Sequence, residues 1–243
     1  VDEVGDEIYL TAMETQVPAA VSEKRTEGAK RLIAEAKVDT IVLDDAFQHR
    51  KVKAGMYVLL TAYGDLYTDD VILPAGNLRD TKNQAGRADI IVVTKCPAGL
   101  STSEMKVIVG RLHPQPHQQV CFATIDYDDF IYNREGKRMP LVDISANTSL
   151  VTGIATPEPL LQHLDGLGLH YDHLSFPDHH NFTVAEIKKL QQKEFVLTTE
   201  KDFVRLESQL EEVYYLPIKI KMLVEGKEVL TTKLMSVLSR YSL

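Results

Sequence analysis

Two acidic residues followed by a glutamine and a histidine form the first segment that could do chemistry. Asp44 and Asp45 follow the apolar stretch 40–43, and Gln48 and His49 come shortly after them. Acids at the carboxyl end of a buried parallel strand lie where open α/β sheets bind ligands. Carboxylate oxygens also suit Mg²⁺ on a nucleotide. An Asp-Asp pair equally suits a turn, so both interpretations stay open.

A second segment places an aspartate directly before two histidines. Asp178, His179 and His180 follow a predicted strand and lie in a loop. A histidine with an adjacent carboxylate can act as a general base, and such a group can also bind a metal. A loop has little packing reason for two histidines, which favours a functional role.

Three further segments carry weaker signals. Asp6 and Glu7 precede a helical stretch, where carboxylates ordinarily complement the helix dipole. Arg79 follows a Leu-Pro-Ala-Gly-Asn-Leu loop and could bind a phosphate with its guanidinium fork, although a solvated turn is the ordinary interpretation. Asp202 ends a Thr-Glu-Lys-Asp segment and is predicted to cap the following helix.

The elements that must position these residues alternate between strands and helices. Strands are predicted at 17–22, 40–43, 56–62, 89–95 and 119–124, with helices at 26–37 and 101–113. Uniformly apolar strands separated by helices predict a parallel sheet covered on both faces, hence an α/β fold. A hairpin is predicted at 130–142, and strand–helix alternation resumes beyond it.

Composition excludes several classes of protein. The 243 residues carry 27 Lys and Arg against 35 Asp and Glu, a net charge of −8, which argues against a dedicated nucleic-acid binder. Only Cys96 and Cys121 occur, so a disulfide scaffold is excluded and a reducing compartment fits. The longest apolar runs are far shorter than the roughly 20 residues of a membrane-spanning helix.

The order of motifs resembles one family over nearly the whole chain. Along the sequence come Gly-Asp-Glu, Val-Pro with a basic residue, Leu-Asp-Asp-x-Phe-Gln-His, Leu-Pro-Ala-Gly-x-Leu-Arg, Gly-Ile-x-x-Pro, Phe-x-Asp-His-His and Thr-Glu-Lys-Asp. This series is similar to the tetraacyldisaccharide 4'-kinase (lipid A 4'-kinase) family. The resemblance implies two lobes of P-loop-NTPase-like parallel sheets flanked by helices, with a β-hairpin linker between them. The implied domains are a nucleotide- and substrate-binding core at 1–125, the linker at 126–144 and a smaller lobe at 145–243.

The resemblance also implies the reaction. The family is expected to transfer the γ-phosphate of ATP, with Mg²⁺, to the 4'-hydroxyl of an acylated glucosamine disaccharide 1-phosphate. It is expected to act as a monomer in peripheral contact with the cytoplasmic face of the bacterial inner membrane, and to bind no nucleic acid.

Site residues carry over by motif position. Asp6 and His179 match the catalytic base pair, which predicts that their side chains approach hydrogen-bond distance, with His180 as the competing base. Glu7 and Asp44 match Mg²⁺-side acids, and Glu7, Asp44 and Asp45 are expected to converge. The residues matched to nucleotide or substrate contacts are Arg25, Asp45, Gln48, His49, Arg79 and Asp80.

The sequence departs from the family at several points. Ile8 replaces a Pro, Ala46 replaces a Gly, and Asp80-Thr81 stands where Glu-Pro is usual, which shortens the reach of that acid. No Gly-x-x-x-x-Gly-Lys-[Ser/Thr] loop occurs in the 243 residues. We therefore expect a chain truncated at its N-terminus, with the P-loop and an apolar helix upstream of Val1, and an inactive fragment is one expectation.

Two other functions stay open at this point. The first is a metal-dependent phosphoesterase that uses Asp178, His179 and His180 together with Asp44 and Asp45. The second is a non-catalytic module that binds an acylated sugar or a protein partner.

Overall fold

Two β-sheets organise the chain in a computed structural model that describes residues 15, 17–49 and 51–241. The four-strand unit contains Asp39–Asp126 and the described residues from Ile220 onward. The six-strand unit contains Tyr127–Lys219 and the described residues up to Val38. We describe each unit by itself.

The four-stranded sheet has the order β1-β2-β3-β10, and β2 pairs in parallel with both β1 and β3. Its strands are β1 (Val58–Ala62), β2 (Ile90–Thr94), β3 (Gln119–Tyr127) and β10 (Ile218–Leu223). Its helices are α2 (Thr102–Leu112) and α6 (Gly226–Tyr241). Four of the five β2 residues are buried, as expected of a parallel strand covered on both faces.

Helices cover the two faces of this sheet with separate apolar clusters. On one face, Met105 and Ile108 of α2 pack with Ile91 and Val93 of β2. On the other, Val229 and Leu230 of α6 pack against buried β2 and β3 side chains. The predicted capping box at Ser101 is confirmed: the Ser101 Oγ accepts a bond from the Glu104 N–H, and the Glu104 carboxylate accepts from the Ser101 N–H.

The six-stranded sheet has the order β5-β4-β9-β8-β6-β7. Its strands are β4 (Phe130–Tyr132), β5 (Arg138–Pro140), β6 (Thr148–Thr152), β7 (Asp172–Ser175), β8 (Phe195–Thr199) and β9 (Val213–Leu216). Its helices are α1 (Arg25–Ala36), α3 (Glu158–Gly166), α4 (Val184–Leu190) and α5 (Glu200–Leu206). The sheet is parallel from β9 through β8 and β6 to β7, and antiparallel at β4 and β5.

The structure confirms the α/β class and the hairpin, which is the antiparallel β4–β5 pair at the edge of the six-stranded sheet. Two predicted strands are wrong, because residues 17–22 and 40–43 form no strand. Their apolar composition predicts a strand, but a strand also needs a hydrogen-bonded neighbour, and the side chain of Val42 is 91% exposed.

The return of the chain also differs from the expectation. The sequence placed residues 145–243 in one lobe, whereas β10 joins the four-stranded sheet and α6 packs on it. Hydrophobic periodicity is a local signal, and it does not specify which sheet a returning strand joins. Among the described residues, no helix is long and apolar enough to cross a membrane.

Candidate functional site

The acidic loop 44–49 lies in the four-strand unit and contacts the loop that carries Arg79. Asp45 adopts a left-handed backbone conformation, with φ 42°, and its N–H donates to the Asp44 carboxylate at 2.9 Å. The Asp45 carboxylate lies 3.3 Å from the Arg79 guanidinium, although the two residues are distant in sequence. Both side chains are largely exposed, so this ion pair contributes little stability.

A small cavity of about 60 Å³ brings three predicted site residues together. Gln48, Arg79 and Asp80 line it, together with Lys82 and Arg87. Three cationic side chains beside one opening suit an anionic group such as a phosphate. The cavity is far smaller than the roughly 300 Å³ of a complete small-molecule site, so it fits one small group only.

Arg87 anchors the acidic loop, and the sequence interpretation did not identify it. Its Nη2 donates to the Phe47 carbonyl at 2.8 Å, and its guanidinium lies 4.7 Å from the centre of the Phe47 ring. Its Nε is buried and has no hydrogen-bond partner among the residues that the structure describes. No motif contains Arg87, so only the fold reveals this role.

The loop that carries Asp178, His179 and His180, called the histidine loop from here on, lies in the six-strand unit and follows β7. His179 has a left-handed φ of 57°, and its N–H donates to the Gly153 carbonyl at 3.2 Å and to the Asp178 carboxylate at 3.0 Å. The bond to Gly153 ties the loop to the residue that follows β6. The side chain of His179 is 59% exposed.

Charged groups surround the His179 ring. Lys201 Nζ lies 3.0 Å from Nε2, and Arg205 Nη2 lies 3.3 Å from Nδ1. The Asp178 carboxylate lies 3.9 Å from Nε2 and accepts a hydrogen bond from Lys201 at 2.9 Å. That hydrogen bond is the main reason why the pKa of Asp178 lies below its ordinary value, so the carboxylate is ionised near neutral pH.

His180 is held in the protein by packing and by a helix cap. Its ring stacks on Phe176 and contacts Phe182 edge-on, with centroids 4.9 and 5.1 Å away, and its side chain is 21% exposed. Its Nε2 lies 3.1 Å from the carboxylate of Glu186, which forms a capping box with Thr183. Hydrogen bonds from Thr183 and His180 lower the pKa of Glu186 to about 2. These contacts give His180 a structural role.

Asp202 is fully buried beneath the histidine loop. Its Oδ2 accepts hydrogen bonds from the Gly153 N–H and the Thr199 hydroxyl, both at 2.8 Å, while its Oδ1 has no partner within the described part of the chain. The prediction that Asp202 caps the helix is wrong. Thr199 is the N-cap of α5, and its Oγ1 accepts from the Asp202 N–H.

The other predicted site residues are separate or undescribed. Arg25 begins α1 and donates to the Ser22 carbonyl at 2.5 Å, and His49 is a half-buried residue at the end of the acidic loop. Asp6 and Glu7 lie outside the described residues, so their expected approach to His179 and Asp44 stays a prediction. Within the described part of the chain, no three His, Cys, Asp or Glu residues gather as a metal site.

Comparison with known proteins gives consistent matches. A family model described as tetraacyldisaccharide-1-P 4'-kinase (LpxK) matches residues 1–239. The tetraacyldisaccharide 4'-kinase of Flavobacterium johnsoniae is 44% identical over 209 residues, covering 84% of this chain and 61% of that protein. The protein of the same name from Bacteroides thetaiotaomicron is 38% identical over 251 residues, covering 90% of this chain and 65% of that protein.

A solved structure is also similar. It is the "apo" form of LpxK from Aquifex aeolicus in complex with ATP, with 26% identity and a TM-score of 0.70 over 96% of this chain and 69% of that one. The chain spans about three fifths of the length of the Flavobacterium relative. On the match of the family model to nearly every residue, the chain belongs to the tetraacyldisaccharide 4'-kinase family.

Proposed function

We propose that this chain forms part of a kinase that transfers the γ-phosphate of ATP to the 4'-hydroxyl of a tetraacylated glucosamine disaccharide 1-phosphate. The observation that carries the proposal is the family match over residues 1–239. The relatives are named for this activity, and the similar solved structure is a complex with ATP. A monomer in peripheral contact with the cytoplasmic face of the inner membrane is part of the same proposal.

On the nucleotide side, we propose that Arg79 binds a phosphate group. Its guanidinium lines the small cavity with Gln48 and Asp80 and is held beside the acidic loop by Asp45. An exposed ion pair exchanges readily for a phosphate, because phosphate offers the same bidentate geometry as a carboxylate with more charge. His49 and Arg25 are proposed to make further contacts with nucleotide or substrate.

Asp44 and Glu7 would hold Mg²⁺. Of these two, Asp44 lies among the described residues, and its exposed carboxylate fits a Mg²⁺ ligand. Mg²⁺ on a nucleotide ordinarily takes one or two protein carboxylates together with phosphate oxygens and water. When bound, Mg²⁺ would offset the charge that develops on the transferred phosphate. The histidine loop fits a metal less well, since Lys201 and Arg205 place two positive charges beside His179.

On the acceptor side, we propose that His179 takes the proton of the sugar hydroxyl, with Asp6 orienting its ring. As the proton passes to a ring nitrogen, the hydroxyl oxygen forms a bond to the γ-phosphorus, and the bond from that phosphorus to ADP breaks. The exposure of the His179 ring supports this assignment over His180, which is packed between two aromatic rings and bound to Glu186.

The test follows transfer of labelled γ-phosphate from ATP to tetraacyldisaccharide 1-phosphate by the full-length protein. His179→Ala and Asp6→Ala should each lower kcat by roughly 10²–10⁴-fold, the usual contribution of a general base. The double variant should be little worse than either single variant. His180→Ala is the matched control. Its melting temperature should fall below that of the unsubstituted protein, while its kcat should fall far less than that of His179→Ala. Full turnover by His179→Ala would reject the proposed base.

Two outcomes of the same assay would favour the other functions. Release of phosphate from generic esters without ATP would identify a phosphoesterase. Binding of the acylated disaccharide without any phosphate transfer by the full-length protein would identify a non-catalytic module.

A further inference from the structure

Lys201 contacts the ring of His179, a role that no motif assigned to it. It belongs to the Thr-Glu-Lys-Asp segment, which the sequence interpretation treated only as a helix cap. In the structure its Nζ reaches the Asp178 carboxylate at 2.9 Å and the His179 Nε2 at 3.0 Å. Its side chain is only 25% exposed, so the ammonium is held among these partners.

The chemistry of the contact specifies a tautomer of the ring. An ammonium group can only donate hydrogen bonds, and neutral imidazole accepts at one nitrogen only. Lys201 Nζ lies 3.0 Å from Nε2, and Arg205 Nη2, which is likewise only a donor, lies 3.3 Å from Nδ1, while Nη1 of the same guanidinium donates to the His180 carbonyl. Since a neutral ring accepts at one nitrogen only, we assign the lone pair to Nε2, where the contact is shorter, and the proton to Nδ1.

Asp178 fixes the position of the ammonium. Its Oδ1 accepts from Lys201, and this bond is the first cause of the lowered pKa of Asp178. The carboxylate therefore stays charged near neutral pH and holds Lys201 against the ring. Because the N–H of His179 also donates to Asp178 Oδ1, one carboxylate links the ammonium to the histidine backbone.

Asp202, the next residue in the segment, supports the backbone of His179 through Gly153. Asp202 accepts the Gly153 N–H at 2.8 Å, and the Gly153 carbonyl accepts the His179 N–H at 3.2 Å. Lys201 thus contacts the ring while its neighbour Asp202 supports the backbone. Both contacts start from the first turn of α5.

We propose that Lys201 is a positioning residue for His179, holding the ring with its lone pair on Nε2 so that this atom receives the proton of the acceptor hydroxyl. The inference rests on the proposed role of His179 as the base. When the hydroxyl binds, its O–H replaces the ammonium as the donor to Nε2. The proton then moves to Nε2, the oxygen electron pair forms the new bond to the γ-phosphorus, and the bond from that phosphorus to the ADP oxygen breaks, so that ADP leaves with the electron pair.

The first test is nitrogen NMR of ¹⁵N-histidine-labelled protein, with His179 assigned from the signal that disappears in His179→Gln. In the unsubstituted protein we expect the Nδ1–H tautomer. Lys201→Met should shift His179 toward the Nε2–H tautomer, while Lys201→Arg should keep the Nδ1–H form because it retains a cationic donor. An Nε2–H tautomer in the unsubstituted protein would overturn the proposal.

The second test is steady-state kinetics of the full-length protein. Lys201→Met should lower kcat by about 10–100-fold with KM nearly unchanged, because displacement of a reacting group costs rate rather than substrate binding. Lys201→Arg should recover part of that loss. Lys193→Met is the matched control, since it removes a 2.9 Å Lys–Asp ion pair of the same unit that does not touch His179.

The outcomes separate this inference from the proposed function. If His179→Ala is inactive but Lys201→Met changes neither tautomer nor kcat, the positioning role is wrong and the base assignment stands. If Lys201→Met and Lys193→Met lose kcat equally, the effect is general destabilisation and the positioning role is wrong. If His179→Ala keeps full activity, the base assignment itself fails, and the positioning role fails with it.

Discussion

A single methyl group added at Gly153 tests the buried support of the histidine loop. A Cβ at this position would lie 2.8 Å from Asp202 Oδ1 and 3.4 Å from the Pro177 carbonyl. Asp202 cannot easily move away, because its other carboxylate oxygen accepts two hydrogen bonds at 2.8 Å and the side chain is fully buried. Gly153→Ala should therefore destabilise the fold.

The size of the effect follows from two opposing contributions. Overpacking of a well-filled site costs about 1–3 kcal/mol, while replacing Gly by Ala stabilises by about 0.4–1 kcal/mol through the unfolded chain. The midpoints of the two ranges give a net loss of about 1.3 kcal/mol, and their extremes give about 0–2.6 kcal/mol. For a chain of this size each kcal/mol corresponds to about 2–4 °C, so the midpoint gives a fall in Tm of about 3–5 °C.

Gly166→Ala is the matched control for this experiment. Gly166 ends α3 in the same unit, and no atom of the described residues, other than those of its own helix and chain neighbours, lies within 4 Å of an added Cβ there. The same chemical change should therefore raise stability by up to about 1 kcal/mol. Thermal and urea unfolding of both variants give the comparison. Equal, stabilising shifts in the two variants would refute the close approach of Gly153 to Asp202.

Two further predictions concern Glu186 and Arg87. The folded pKa of Glu186 is about 2 against an ordinary 4.5, so its contribution to stability is present above pH 4.5 and is lost as the pH falls toward 2. Glu186→Gln should flatten that part of a Tm–pH profile, and an unchanged profile would contradict the assigned hydrogen bonds. Arg87→Ala should cost about 1–3 kcal/mol by leaving the Phe47 carbonyl unpaired and removing the ring contact, measured by urea unfolding. Arg87→Lys should not restore the lost free energy of unfolding, because a point charge does not replace the planar guanidinium. Full recovery of stability in Arg87→Lys would contradict the role assigned to the guanidinium.

Local signals in the sequence were sufficient for some of the local structure and misleading for the rest. The Ser101–Glu104 capping box and the hairpin at 130–142 were predicted from a few adjacent residues, and the structure confirms both. The apolar stretches 17–22 and 40–43 gave the same kind of signal and form no strand. Strand formation depends on a neighbouring strand, which composition alone does not reveal.

Long-range contacts were beyond the sequence interpretation for a different reason. Arg87 contacts Phe47, 40 positions earlier in the chain, and a lone arginine gives no sign of such a partner. Gln48, Arg79 and Asp80 were selected by motif, and the fold places them around one cavity, but the motifs did not indicate its small size. The motif favoured His179 over His180 as the base, and that assignment stays a proposal; the greater exposure of the His179 ring, which supports it, cannot be read from two adjacent histidines.

The Thr-Glu-Lys-Asp segment shows why a cap and a functional support can be the same residues. Capping requires Thr199 to bond the backbone of α5, which fixes where the side chains of Lys201 and Asp202 point. Asp202 is then buried against Gly153, and Lys201 reaches toward the histidine loop. A helix that begins at the end of β8 therefore holds the histidine loop that follows β7. Capping alone would not require a lysine before the buried aspartate. The contact of Lys201 with the histidine loop therefore gives a reason for the lysine in the Thr-Glu-Lys-Asp segment.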